Sequence, residues 1–158
     1  MFKIGFGSDL HRLDVGRELV IGGVNIPSEF GAVGHSDADV LLHAVTDSIL
    51  GALALGDIGS HFPDSDERWK DADSFVFLEE AVRLMNERGF MVANLDSIVH
   101  LEKPKLRFSI DAMRKNIADR IGVAIDCVSV KAKTGEGLDS VGKSRAVKAE
   151  ACILLRKF

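Results

Sequence analysis

The segment GHSDADVLLHAVTDSILGALALGDIG, residues 34–59, decides the fold, because its hydrophobic residues recur with the period of an α-helix. Ser36 followed by Asp39 resembles a capping box with a shorter carboxylate, which places the start of the helix here. The pattern continues to about Leu55 and ends at Gly56. The sides of this helix are crowded with Ala, Val, Leu and Ile, so we predict that it is mostly buried in the domain.

The sequence on both sides of this helix predicts strands and further helices. A first strand begins at Phe2, where apolar residues alternate with Lys and Gly. The other predicted elements are a hairpin over 18–27, helices over 71–89 and 109–122, and strands over 90–102, 127–134 and 146–158. Strands with one apolar face, separated by amphipathic helices, predict a mixed sheet covered by helices.

The composition limits the kinds of partner that the chain can bind. With 158 residues, of which 46% are hydrophobic, the chain is long enough for one globular domain with a proper core. A net charge of −4 provides no basic field for nucleic acid or an anionic membrane, so a negatively charged substrate must be met by a metal or a few lysines. Cys127 and Cys152 have neither metal nor redox spacing and are predicted to be buried, reduced thiols. No apolar run resembles a signal peptide or a membrane span, which favours a cytoplasmic protein.

Three residues form a candidate metal site. Asp9 and His11 are two residues apart, so in extended chain both side chains point to the same side. If His43 joins them, the set is two histidines and one aspartate with a fourth position open, which is typical of a catalytic zinc site. Asp39 and Asp47 lie one helical turn either side of His43 and are candidate acceptors for its other ring N–H. A structural hydrogen-bond cluster is the alternative interpretation of the same spacing.

Three further segments carry polar groups suited to a phosphorylated ligand. His35 and Ser36 lie at the predicted helix N-terminus, where free N–H groups favour phosphate, although Ser36 could equally be a simple cap. The loop 56–66 contains three aspartates that could bind hydroxyl groups or could form only a solvated turn. The segment 131–137 has lysines and a threonine that suit a phosphate, and Glu136 could hold Mg²⁺ against it, but its spacing is not that of a P-loop.

Three motifs together carry a resemblance to a known family. They are SDLHRL at 8–13, GHSDADVLLHAVTDSILGALALGDIGSHFPDSD at 34–66 and VKAKTGEGL at 130–138. In this order and at this spacing they resemble the 2-C-methyl-D-erythritol 2,4-cyclodiphosphate synthases of the non-mevalonate isoprenoid pathway, over essentially the whole chain. The resemblance implies that Asp9, His11 and His43 are zinc ligands, and that the protein is a homotrimer with active sites between neighbouring subunits.

Pattern and resemblance together predict the fold. We expect one domain over residues 1–158, of the α+β or α/β class and ferredoxin-like in style. Its main sheet is predicted to be mixed and four-stranded, with helices packed on one face and a small N-terminal hairpin beside it.

The resemblance also implies roles for individual residues. His35 and Thr134 correspond to catalytic groups that contact the phosphates, and Glu136 corresponds to a ligand of Mg²⁺ or Mn²⁺ on the substrate diphosphate. Asp57, Gly59 and the loop 62–66 correspond to the methylerythritol-binding segment, and 102–108 corresponds to the cytidine-binding segment. The implied substrate-binding residues are Asp9, His11, His35, Ser36, Asp57, Gly59, Phe62, Pro63, Asp64, Ser65, Asp66, Pro104, Lys105, Leu106, Lys133, Thr134 and Glu136.

The implied enzyme is a phosphorus–oxygen lyase that forms a cyclic diphosphate. It would convert 4-diphosphocytidyl-2-C-methyl-D-erythritol 2-phosphate to 2-C-methyl-D-erythritol 2,4-cyclodiphosphate and CMP. A metal-dependent phosphohydrolase and a non-catalytic trimer that binds nucleotide or isoprenoid are the two alternatives. The segment DSVGKSR at 139–145 departs from the family pattern, so Ser140 and Lys143 are given no ligand role, and Lys133 and Gly135 replace threonines often found in the family.

Overall fold

The structure, a computed structural model, describes residues 1–158 and contains seven strands and five α-helices. The strands are β1 (Phe2–Val15), β2 (Leu19–Ile21), β3 (Val24–Ile26), β4 (Phe30–Val33), β5 (Phe90–His100), β6 (Val128–Lys133) and β7 (Ala146–Lys157). The helices are α1 (Val40–Ala52), α2 (Ile58–His61), α3 (Phe75–Glu87), α4 (Ile110–Ile121) and α5 (Asp139–Gly142). No helix is long and apolar enough to cross a membrane.

The main sheet is mixed and has the strand order β4-β1-β7-β5-β6. The pairs β1–β4, β1–β7 and β5–β7 are antiparallel and β5–β6 is parallel, while β2 and β3 form the separate hairpin. The predicted fold class is confirmed, with five strands in the main sheet where four were predicted. The additional strand is β4, which is only four residues long and therefore too short to show an alternating pattern in the sequence. It pairs with the end of β1, from Arg12 opposite Val33 to Val15 opposite Phe30.

Helix α1 is the centre of the hydrophobic core and lies against β1 and β7. Its close approach to β1 depends on two glycines. A Cβ atom on Gly5 would lie 1.8 Å from the carbonyl oxygen of Ser48, and one on Gly7 would lie 2.1 Å from that of Ala44. Because no side chain fits at these positions, the backbones of the strand and the helix can meet directly. This contact fixes the depth and register of α1 against β1.

The N-terminus of α1 is capped by Asp39 rather than Ser36. One carboxylate oxygen of Asp39, Oδ1, accepts hydrogen bonds from the backbone N–H groups of Leu42 and Gly22, and Oδ2 accepts one from Gly23. The residue is fully buried, and burial raises its pKa to about 6 although the three N–H groups favour the ionised form. Asp39 thereby joins the β2–β3 hairpin to the first turn of α1.

The predicted end of α4 agrees with the structure, whereas α1 ends at Ala52 rather than near Leu55, and the prediction for the cysteines is wrong. Gly122 ends α4 in the left-handed conformation at φ +81°, as a C-terminal glycine does. Cys127 is half-buried and Cys152 is exposed. Cys152 lies on β7 between Ala151 and Ile153, whose side chains enter the core, so strand alternation turns its own thiol to the outer face of the sheet.

Removal of the Asp39 carboxylate should destabilise the fold. In the Asp39→Ala variant three backbone N–H groups lose their acceptor, and we expect the free energy of unfolding to fall by about 2–4 kcal/mol. Urea denaturation followed by circular dichroism measures the difference. Asp126→Ala, at an exposed position with no buried partner, is the matched control and should change the free energy by less than about 0.5 kcal/mol. Equal stability of the two variants would contradict the clamping role of Asp39.

Candidate metal centre

The close contact between β1 and α1 brings three ligand atoms to one point. β1 continues through Asp9 and His11 as extended chain, so both side chains lie on the same side of the strand. The Oδ2 atom of Asp9 lies 2.7 Å from Nε2 of His11 and 3.0 Å from Nδ1 of His43, on α1. The two ring nitrogens are 3.2 Å apart. The predicted grouping of these three residues is confirmed, and the group could hold a metal ion.

Each imidazole also has hydrogen-bond partners on the side away from Asp9. Nδ1 of His11 lies 3.1 Å from the carbonyl oxygen of Val33, which can only accept, so Nδ1 carries the proton. Nε2 of His43 lies 2.8 Å from the Ser74 hydroxyl oxygen and 3.2 Å from that of Ser36. In the neutral His11 ring the nitrogen that faces Asp9, Nε2, is therefore left with its lone pair.

Two ring nitrogens and a carboxylate oxygen that converge at about 3 Å need a cation or a proton between them, since their lone pairs otherwise repel one another. The donor set of two imidazole nitrogens and one carboxylate is that of a zinc site with an open fourth position. The residues present therefore fit a divalent metal.

The protonation of the site without a metal follows from the same contacts. Burial alone would raise the pKa of the Asp9 carboxyl, but its close contacts with the His11 and His43 rings hold it well below its ordinary value. For His11, burial would lower the pKa, but the hydrogen bond to Asp9 raises it above the ordinary value. A proton on His11 is therefore the competitor that a metal ion must displace.

The predicted carboxylate partners of His43 are not its partners. The carboxylate of Asp39 caps α1, and that of Asp47 accepts a hydrogen bond from the N–H of Ile58 at 2.7 Å. The i, i+4 spacing misled because free N–H groups at helix starts take both carboxylates: Asp39 caps its own helix, and Asp47 accepts from the first residue of α2. The residue that contacts His43 instead is Ser74, which directly precedes α3 and was not predicted as a site residue.

A cavity of about 390 Å³ opens from the three ligand atoms. Among its other lining residues are five that were predicted as substrate contacts, His35, Ser36, Gly59, Phe62 and Asp64. Trp69 and Phe77 also line it and were not predicted, because aromatic residues in a loop and a helix carry no signal for a polar site. They pack with Phe62, and the Phe77 ring is 5.8 Å from the ring of His43.

The remaining residues of the predicted methylerythritol segment do not line this cavity. Asp57 is exposed and caps α2 through a 2.8 Å hydrogen bond from the N–H of Ser60. Pro63 and Ser65 are exposed on the loop. Asp66 forms an ion pair with Arg68, while its backbone carbonyl accepts a hydrogen bond from Nε2 of His35 at 3.2 Å. Asp66 therefore orients His35 through its backbone.

A second cavity, of about 520 Å³, contains the other group of predicted residues. The predicted residues that line it are Pro104, Lys105, Leu106, Lys133 and Thr134. Glu136 lies beside it and accepts a hydrogen bond from the Thr134 hydroxyl at 2.8 Å. The two cavities share no lining residue. One chain therefore keeps the metal ligands and the Thr134–Glu136 pair in separate places.

Comparison with known proteins gives a consistent family assignment. The chain is 50% identical over 155 residues to the 2-C-methyl-D-erythritol 2,4-cyclodiphosphate synthase of Solibacter usitatus, covering 98% of each chain. It is 54% identical over 157 residues to the bifunctional enzyme IspD/IspF of Albidiferax ferrireducens, of which it spans 38%, and this match covers 99% of the present chain.

Solved structures agree with these relatives. The bifunctional IspDF from Campylobacter jejuni superimposes with a TM-score of 0.96 at 37% identity, over 100% of this chain and 43% of that one. A 2C-methyl-D-erythritol-2,4-cyclodiphosphate synthase in a form bound to CDP superimposes with a TM-score of 0.90 at 41% identity, over 98% of this chain and 100% of the other.

The resemblance found in the sequence is confirmed by the match of a whole-family model. The model described as the YgbB family matches residues 2–156, which include both cavities and all three candidate metal ligands. The chain belongs to the YgbB family.

Proposed function

We propose that the protein is a cyclising phosphorus–oxygen lyase that converts 4-diphosphocytidyl-2-C-methyl-D-erythritol 2-phosphate to 2-C-methyl-D-erythritol 2,4-cyclodiphosphate and CMP. The observation that carries the proposal is the convergence of ring nitrogens of His11 and His43 on the Asp9 carboxylate beside an open cavity. The synthase names of the relatives support the same reaction. We propose zinc as the metal, because two imidazoles and one carboxylate with an open position suit it.

The lining of the second cavity suits the cytidine diphosphate end of the proposed substrate. Its lining is half hydrophobic and includes the cations Lys105 and Lys133, which suits a base and a diphosphate on one ligand. A relative in the YgbB fold has been solved with CDP bound. We propose that Pro104, Lys105 and Leu106 hold the cytidine, and that Thr134 contacts the diphosphate.

The reaction needs positioning and charge neutralisation rather than a protein base. The 2-phosphate is already an anion near neutral pH, and its oxygen forms a new bond to the β-phosphorus while the bond between that phosphorus and the oxygen bridging to the α-phosphate breaks. CMP leaves with the electron pair of that bond. When bound, zinc at Asp9, His11 and His43 and Mg²⁺ or Mn²⁺ at Glu136 would supply positive charge to the phosphate oxygens.

The side chains at the first cavity are arranged to donate to a phosphate. The Ser36 hydroxyl oxygen accepts from the N–H of Ala38 at 3.2 Å and faces Nε2–H of His43, so its own proton is free to point to a ligand. His35 is held by the backbone of Asp66, as described above. We propose that His35 and Ser36 bind phosphate and that the loop 56–66, with Asp57, Gly59 and residues 62–66, binds the methylerythritol hydroxyls.

We also propose that the active site is completed by a neighbouring subunit in a homotrimer. The metal cavity and the cavity assigned to cytidine are separate in one chain, which supports a site shared between chains. The outer face of β1 exposes large apolar side chains, with Phe2 68%, Ile4 72% and Phe6 63% exposed. An apolar sheet face of this kind is typical of an interface between subunits.

The proposed setting of the enzyme follows from the chain's composition and fold. We propose one synthase domain over residues 1–158 that acts in the cytoplasm and has no nucleic-acid or membrane partner. The net charge of −4 supports this, since it offers no overall attraction to polyanions.

The product distribution tests the reaction class. Purified protein incubated with the proposed substrate, Zn²⁺ and Mg²⁺ should give the cyclic diphosphate and CMP in equal amounts. ³¹P NMR measures both products. A phosphohydrolase with the same metal site would release inorganic phosphate instead, and a binding module would leave the substrate unchanged. Either of these outcomes would contradict the proposed cyclisation.

Mixed oligomers test the shared site. A His43→Ala chain lacks a metal ligand and a Glu136→Gln chain lacks the second-metal ligand, so each alone should be inactive. Co-assembled, they should recover activity, because some interfaces then pair an intact metal cavity with an intact Thr134–Glu136 pair. Homotrimers of each variant, mixed without subunit exchange, are the control. Verified mixed trimers without any recovery would show that each site lies within one chain.

A further inference from the structure

Two side chains outside the predicted site, Ser74 and Asp37, extend the hydrogen bonds of the metal centre away from the cavity. Nε2 of His43 lies 2.8 Å from the Ser74 hydroxyl oxygen, and the Ser74 hydroxyl in turn bonds to Oδ1 of Asp37. The backbone N–H of Ser74 donates to Oδ2 of the same carboxylate at 3.1 Å. Ser74 is fully buried, so no water competes for these bonds. A continuous path therefore runs from Asp37 through Ser74 to the imidazole.

The direction of each hydrogen bond in this path is determined. The Ser74 hydroxyl donates its single proton to Oδ1 of Asp37, so it has no proton left to donate to His43. The Ser74 oxygen is then an acceptor toward His43, and Nε2 of His43 must be the nitrogen that carries the proton. Nδ1 is left with a lone pair directed at Asp9, 3.0 Å away.

Ser36, the other hydroxyl near His43, cannot select the tautomer in this way. Its oxygen lies 3.2 Å from Nε2, which is longer than the contact with Ser74, and no carboxylate accepts its proton. A hydroxyl with a free proton can donate to an imidazole nitrogen as well as accept from an N–H. The carboxylate of Asp37 removes this ambiguity only for Ser74.

The backbone holds Asp37 and Ser74 in register with each other. The N–H of Asp37 donates to the carbonyl oxygen of Ala72 at 3.0 Å, which joins the loop before α1 to the loop before α3. Oδ1 of Asp37 also accepts from the N–H of Asp39 at 3.1 Å. The carboxylate is therefore fixed by both segments and does not have to be ordered when a metal binds.

We propose that Ser74, with Asp37 behind it, is a positioning residue of the metal centre: it holds His43 in the Nε2–H tautomer, so that Nδ1 is preorganised to coordinate. The inference rests on the proposed metal site. A carboxylate behind the hydroxyl polarises the imidazole and makes Nδ1 a stronger donor, as hydrogen-bonded partners of metal-binding histidines do. Ser74 and Asp37 thus set metal affinity without touching the metal or the substrate.

Metal affinity, measured without any substrate, tests the role of Ser74. Ser74→Ala should weaken Zn²⁺ and Co²⁺ binding by about 10- to 100-fold in competition with a chromophoric chelator, while Ser74→Thr, which keeps the hydroxyl, should stay within about threefold of the wild type. Ser48→Ala is the matched control, since Ser48 is also fully buried but donates to Val45 on the helix and does not contact His43. Its metal affinity should equal that of the wild type, whatever its melting temperature.

The coupling between the two residues separates positioning from a general loss of structure. Asp37→Asn should weaken metal binding, and the double variant with Ser74→Ala should bind no more weakly than Ser74→Ala alone, since Asp37 acts on His43 only through Ser74. Additive losses in the double variant would overturn the path. If the wild type binds metal and Ser74→Ala binds it with the same affinity, the positioning role of Ser74 is overturned. The proposed metal site would stand in that case.

A measurement on the wild type covers the case in which the variants do not fold. Long-range ¹H–¹⁵N NMR spectra distinguish protonated from unprotonated imidazole nitrogens. In the zinc-loaded protein Nε2 of His43 should be the protonated nitrogen. A proton on Nδ1 would overturn the inference, and absence of zinc binding in the wild type would overturn both it and the proposed metal site.

Discussion

The metal centre depends on how closely α1 lies against β1. A Cβ atom at Gly7 would lie 2.1 Å from the carbonyl oxygen of Ala44, so any other residue there would push the helix away. Gly7 is two residues before Asp9 on the strand, and Ala44 directly follows His43 on the helix. The contact that forms the core is therefore the same contact that sets the 3.0 Å distance between Asp9 and His43. Fold and site are positioned by one constraint.

The parts of the site that lie within one element could be predicted from the sequence. Asp9 and His11 share a side of β1 because strands alternate with period two. The helix that carries His43 was evident from its hydrophobic period. The hydrophobic period does not determine the register of a helix against a strand. Here that register depends on the backbone contact at Gly5 and Gly7. Grouping the three ligands before the structure was known therefore relied on the resemblance to a family.

Other features depend on contacts between residues far apart in the chain, and the sequence carries no signal for them. Ser74 reaches His43 across 31 positions, and it acts as a defined acceptor only because Asp37 takes its proton. Asp39 and Asp47 share a helical face with His43, but their carboxylates accept hydrogen bonds from backbone N–H groups. In both cases the sequence identifies suitable residue types but does not determine which hydrogen-bond partner each side chain takes in the fold.

The charge distribution agrees with a substrate that carries several phosphates. The protein is net negative, but groups that could offset phosphate charge are present locally, in the candidate metal site and in Lys105, Arg107 and Lys133 of the second cavity. Local rather than overall positive charge selects a small anionic ligand and gives no affinity for long polyanions. The separation of the two cavities in one chain supports the proposal that a neighbouring chain brings both ends of such a ligand together.

The most direct test of this account is the pH dependence of zinc binding, measured by chelator competition on wild-type protein stripped of metal. A hydrogen bond to Asp9 raises the pKa of His11 above its ordinary value of 6.5, so at low pH zinc must displace a proton from this ring. The affinity should therefore rise as the pH increases past 6.5 and level off once His11 is neutral, with one zinc ion bound per chain. Binding that is independent of pH between 6 and 8, or that persists at full stoichiometry in His43→Ala, would contradict the assignment of Asp9, His11 and His43 as the metal centre.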